Sequence, residues 1–91
     1  MGVQKHLFWF GGGRVDTLDA VRMMIERAGV TPYRVAVDMG RAPTYVSSML
    51  RRGSTPSADL LAKMADVCGY DLRLISRDGL DSITIDAGPT D

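Results

Sequence analysis

The chain has 91 residues, enough for one domain and too few for two. It carries 11 Lys and Arg against 11 Asp and Glu, and at 45% hydrophobic and 24% charged it has the balance of an ordinary soluble globular protein. No apolar run approaches the roughly 18 residues of a membrane span, the single cysteine Cys68 excludes an internal disulfide, and Cys68 with the single histidine His6 is a poor basis for a metal centre.

Residues 1–13 differ from the rest. Leu7-Phe8-Trp9-Phe10 is a compact apolar run closed by Gly11-Gly12-Gly13. It is too short for the apolar core of a signal peptide, and His6 stands where a myristoylation signal wants Ser or Thr. Three successive glycines predict a flexible joint, so the segment reads as a tail that orders only where its aromatics find a groove. A partner-binding peptide is a second reading. A start misplaced upstream of Val15 is a third, because a ribosome-binding site read in frame gives glycines just before a true start.

Four helices follow. Asp16 caps the first, Asp19 sits in its first turn and Gly29 stops it; Leu18, Val21, Ile25 and Ala28 recur at helical spacing, with Met24 beside them. Its other face carries Arg22, Glu26 and Arg27. The second helix is capped by Thr31, opens on Pro32 and ends at Gly40, with Val35, Ala36 and Met39 inward. The third is predicted from Pro43 to Arg52, ending at Gly53, with Val46, Met49 and Leu50 as its apolar positions. Thr55 or Ser57 caps the fourth, whose buried face is predicted as Leu60, Leu61, Met64, Ala65 and Cys68, with Gly69 closing it. Cys68 reads as a small core hydrophobe.

After Tyr70 the apolar period changes to 2. Asp78-Gly79 predicts a two-residue hairpin turn, since both residues tolerate positive φ. Counting outward pairs Arg77 with Leu80, Ser76 with Asp81, Ile75 with Ser82, Leu74 with Ile83 and Leu72 with Ile85. Leu72, Leu74, Ile83 and Ile85 then share one face. A lone hairpin is barely stable in water, so this one must pack on the helices or on a second copy of itself. Residues 87–91 are expected to be disordered. The predicted organisation is a tail (1–13), a helical domain (14–70), a hairpin (71–86) and a short tail.

Net charge is zero, yet it is unevenly spread. Between Thr31 and Gly53 lie Arg34, Arg41, Arg51 and Arg52 against the single acid Asp38, whereas Asp71 to Asp91 is dominated by acids. A basic middle suits a polyanion, and a solvated surface with chance clustering is the alternative. Two helices that cross closely need a small residue in the first, a turn residue that accepts a left-handed backbone, and apolar residues that clamp them. Ala36, Gly40 and the set Val35, Met39, Val46 and Met49 meet those needs in order, holding a second helix proud of the surface to enter a major groove.

Through these residues the stretch from Thr17 to Tyr70 resembles the Cro-like, or XRE-type, helix-turn-helix repressor family. The resemblance continues past the two-helix unit through Gly53, Pro56, Leu60-Leu61 and Gly69. It implies a mainly α fold, a four-helix lambda-repressor-like domain followed here by a β-hairpin. Two departures stand out: Ala42 replaces a polar cap, and Pro43 occupies a position whose side chain often reads a base. The resemblance assigns base contacts to Thr44 and Ser48, while Ser47 is an exposed hydroxyl on the same helix. Tyr45 is read equally as touching a thymine methyl, reaching a phosphate or packing inward. Arg41, Arg51 and Arg52, with Thr31 and Tyr33 at the start of the second helix, are the expected phosphate contacts. Ala36, Gly40, Val46 and Met49 are the packing residues.

The expected function is a sequence-specific repressor that acts without catalysis or a cofactor, in the cytoplasm. Its partner is double-stranded DNA, bound by a homodimer on a palindromic operator with half-sites about one DNA turn apart. Leu72, Leu74, Ile83 and Ile85 are the expected dimer residues. Small members of this family with a strand-forming tail often act as antitoxins that repress their own operon, so a toxin held by the acidic end or the aromatic N-terminus is a further expected partner. The rival reading is a protein–protein adaptor that keeps the fold and has lost DNA contact.

Overall fold

A computed structural model describes residues 14–87. The readings made of residues 1–13 and of 88–91 lie outside the described residues. Four helices, α1 (Thr17–Ala28), α2 (Pro32–Asp38), α3 (Tyr45–Arg52) and α4 (Ala58–Val67), precede an antiparallel hairpin of β1 (Leu72–Ile75) and β2 (Ser82–Ile85). No described helix is long and apolar enough to cross a membrane.

The helix starts follow from side-chain caps. Asp16 Oδ1 accepts the Asp19 amide at 2.9 Å, Thr31 Oγ1 accepts that of Arg34 at 3.1 Å, and Ser57 Oγ accepts that of Leu60 at 3.2 Å. Ser57, not Thr55, is therefore the cap of α4. The helices also share one ending, seen at α2. There Gly40, at φ 78°, donates its amide to the Val37 carbonyl at 2.9 Å, while the Arg41 amide reaches back to the Ala36 carbonyl at 2.9 Å.

The third helix starts later than the spacing predicts. Pro43 lies in a turn closed by the Tyr45 amide on the Ala42 carbonyl at 2.9 Å, and the first full helical bond runs from Ser48 to the Thr44 carbonyl. Proline's fixed φ serves that turn as well as it would a first helical position. Thr44 thus becomes the capping residue, and its side chain makes no capping bond.

Val21, Met24, Ile25, Val35, Ala36, Met39, Val46, Met49, Met64 and Ala65 form one buried cluster joining the four helices. On α4 the buried residues are Ala62, Met64 and Ala65, whereas Leu60, Leu61 and Cys68 are half-buried against the cluster. Ala62 is buried without belonging to that cluster; it faces a cleft it shares with Leu72, Thr84 and Ile85. The hairpin thus gives α4 a second covered side that helical periodicity alone does not reveal. Ala87 is placed and half-buried in the same cleft, contrary to the expected disorder from residue 87.

The strand register is as predicted: Leu72 opposite Ile85, Arg73 opposite Thr84, Leu74 opposite Ile83 and Ile75 opposite Ser82. The turn differs. Only Gly79 takes positive φ, at 77°, and the loop runs over residues 77–80, closed by the Gly79 amide on the Ser76 carbonyl at 2.9 Å. Arg77 and Leu80 are accordingly loop residues, not a pair. The cause is the Asp78 carboxylate, which accepts from the Ser76 hydroxyl and from the Leu80 amide at 3.0 Å. Those two bonds lower the pKa of its carboxyl, the Ser76 hydroxyl contributing most. The register survives because the loop grows by one residue on each side.

Candidate nucleic-acid interface

Helix α3 is built on opposition. Val46 and Met49 are buried, and Leu50 beside them is half-buried. At 100° per residue, the positions opposite that stripe are Thr44, Ser48 and Arg51, with Arg52 adjoining. Thr44, Arg51 and Arg52 are exposed; Ser48 between them is half-buried rather than exposed, and Ser47 and Tyr45 lie half-buried on the two flanks. Val35 and Ala36 of α2, both fully buried, and Met39 just beyond it press against α3 from behind. Ala36, with no exposed surface, adds only a methyl to that crossing.

Each polar group on this surface has a definite state. The Ser47 hydroxyl donates to the Thr44 carbonyl at 3.2 Å, so its proton is used and its lone pairs remain. Ser48 Oγ accepts from Arg51 Nη2 at 3.3 Å and keeps its proton for an outside acceptor. Thr44 is free on both counts toward its helix. Of the three readings of Tyr45, the inward one describes its position: the ring packs on the core cluster and Arg41 Cζ stands 4.9 Å from its centroid. That cation–π contact fixes Arg41 beside the start of α3.

The remaining predicted contacts are Thr31, Tyr33 and Arg52. Thr31 spends its oxygen on the Arg34 amide and keeps its hydroxyl proton; Tyr33 is 62% exposed. Arg34 is engaged by Asp38, Nε to Oδ2 at 3.2 Å, which neutralises the one acid of the basic segment. From residue 39 to residue 58 the chain carries Arg41, Arg51 and Arg52 and no acid.

Arg22 is a residue that the sequence reading left on the solvent side of α1. Its Nη2 donates to the Leu50 carbonyl at 3.2 Å, tying α1 to the last turn of α3, where that carbonyl otherwise accepts only the longer bond from the Gly53 amide at 3.3 Å. Only its arginine type on an outward position hinted at this, since the partner is a backbone atom 28 residues away. Cys68 is half-buried at the end of α4, and burial pushes its thiol up, away from the reactive thiolate.

The predicted dimer residues divide. Leu72 and Ile85 are half-buried toward α4, while Leu74 and Ile83, directly opposite one another, are 59% and 58% exposed. No protein-family model, curated protein or solved structure matches the chain.

Proposed function

We propose that this protein is a sequence-specific DNA-binding transcription regulator of the XRE type, which acts as a homodimer and represses by occupying its operator. The observation that carries the reading is α3: a short helix clamped from behind by Val35, Ala36, Met39, Val46 and Met49, with hydroxyls and arginines on its outer side and no carboxylate nearby. Such a helix fits a major groove. Arg41, Arg51 and Arg52 grip phosphates on either side, helped by the hydroxyls of Thr31 and Tyr33. Thr44 and Ser48 read base edges. Ser48 donates and so favours acceptors such as guanine O6 and N7; Ser47, limited to accepting, favours the amino groups of adenine or cytosine. No catalytic step is involved, and the role places the protein in the cytoplasm.

Hydroxyl contacts discriminate less sharply than arginine–guanine or asparagine–adenine pairs, so two half-sites are needed for useful specificity. The exposed pair Leu74 and Ile83 supplies the surface for a second copy.

Fluorescence anisotropy tests the reading, with DNA from upstream of the protein's own gene, a scrambled duplex of equal length and a series of salt concentrations. Preferential binding that weakens steeply with salt is expected. In Arg51→Ala/Arg52→Ala the slope of log K against log salt falls by about 2 per protomer, because each lost phosphate contact removes about 0.9. Folded protein that binds neither duplex at low salt overturns the reading and leaves the adaptor role.

A further inference from the structure

We infer that two copies of this chain join edge to edge through β1, antiparallel about Leu74, into one four-stranded sheet. This rests on the dimer named above and specifies its axis. Among the described residues the hairpin stands alone as a two-stranded sheet, with Arg73, Leu74 and Ile75 exposed along β1. Two strands with one apolar face are marginal in water, whereas four are a stable unit.

The backbone restricts how the edges meet. Ser76 donates its amide to the Asp81 carbonyl, so residues 76, 74 and 72 turn their amides and carbonyls toward β2. Residues 73 and 75 turn theirs to the open edge. The apolar side chains Leu72, Leu74, Ile83 and Ile85 occupy one face, and keeping both copies' apolar faces on the same side requires a two-fold axis perpendicular to the sheet. Such an axis passes through a residue, never between two.

Charge then chooses among the four strand positions. An axis at Arg73 sets that arginine against its own copy. One at Ile75 sets Arg73 against the second copy's Arg77. One at Leu72 leaves half the strand facing the helix-ending turn at Gly69, whose φ is 80°. An axis at Leu74 sets Leu74 on Leu74, Arg73 on Ile75, Leu72 on Ser76 and, at both ends, Asp71 on Arg77 of the second copy. Arg77 has no ion-pair partner among the described residues, and Asp71 has only Arg73 at a loose 3.9 Å. The other edge is less suitable, because Asp81 and Asp86 flank β2 and pairing it with its own copy would set an Asp81 beside an Asp86 at each end with no cation on that strand.

In this register Leu74 is a non-hydrogen-bonded pair with Cα atoms about 4.5 Å apart, within reach of a disulfide. Ile83 of one copy lies about 14 Å, three strand spacings, from Ile83 of the other. The test uses the full chain in a Cys68→Ala background under mild oxidation, with sedimentation equilibrium alongside. Leu74→Cys is expected to give a disulfide-linked dimer and Ile83→Cys none. Arg77→Asp is expected to weaken the dimer roughly tenfold by setting like charges at both ends, and Asp71→Arg with Arg77→Asp to restore it. Linking through residue 83 instead of 74, or a dimer in which neither cysteine links, overturns the edge pairing while leaving the dimer. A chain that stays monomeric at tens of micromolar overturns both.

Discussion

Replacing Gly40 by alanine isolates the backbone demand of the turn that sets α3 at its angle. Gly40 sits at φ 78°, and a Cβ built there meets nothing within 4 Å. Steric collision with neighbours is therefore absent, and only the left-handed backbone itself opposes the side chain, at roughly 1–2 kcal/mol. Alanine also narrows the unfolded ensemble, which offsets about 0.4–1 kcal/mol. The net loss expected is about 1 kcal/mol, or a fall in Tm of about 4–8 °C for a domain of this size. Differential scanning calorimetry of the full chain measures it. Gly40→Asn is expected to recover part of the loss, because asparagine tolerates this conformation. Well below Tm, DNA affinity should stay unchanged, since both Arg41→Ala36 and Gly40→Val37 backbone bonds survive a Cβ. An unchanged Tm in Gly40→Ala, or an asparagine variant worse than the alanine one, would refute the backbone account.

Two further outcomes follow from the caps and the hairpin loop. Ser57→Ala is expected to cost about 1 kcal/mol in urea unfolding, since it removes a hydroxyl bonded to the Leu60 amide, whereas Thr44→Ala, with no capping bond to lose, leaves stability unchanged. The Asp78 carboxyl is held below its ordinary value of 3.8 by the Ser76 hydroxyl and Leu80 amide, so its contribution is present above that value and is lost as pH falls through the lowered one. The amide resonance of Leu80 should therefore shift in acid with a midpoint below 3.8, and Asp78→Asn should abolish the shift; a midpoint at or above 3.8 contradicts the hydrogen bonds as drawn.

What was legible in the sequence is what short-range chemistry decides. Asp16, Thr31 with Pro32, and the glycines at 29, 40, 53 and 69 mark helix ends because each acts on backbone atoms a few residues away. The hairpin register was legible for a related reason, since apolar alternation on both strands and the turn position agree. The start of α3 was not, because proline suits a turn and a first helical position equally and the Ala42 carbonyl decides between them. Nor was the burial of Ala62, which depends on where the hairpin lands, or the bond from Arg22 to Leu50, which depends on how α1 crosses α3. On the candidate surface, residue types were legible, but their mutual occupation was not. That Ser47 spends its proton and Ser48 its lone pair follows only from the placed side chains.

That occupation gives the sharpest separation between gripping and reading. On the proposed reading Arg51 grips a phosphate; its guanidinium is held by Ser48 at 3.3 Å, so the serine would both present a hydroxyl to the groove and steady a cation beside it. Ser48→Ala removes no charge. The number of counterions released on binding is then unchanged, and the salt slope should equal that of the parent protein. What is lost is one hydrogen bond to a base and the steadying of Arg51, together about 0.5–1.5 kcal/mol, or a roughly two- to tenfold drop in preference for operator over scrambled DNA. Arg51→Ala should do the reverse: its slope falls by about 0.9 per protomer while the preference between duplexes changes little. A Ser48→Ala slope that falls as far as that of Arg51→Ala would mean the serine acts only by positioning the arginine. Base reading would then rest on Thr44 and Ser47.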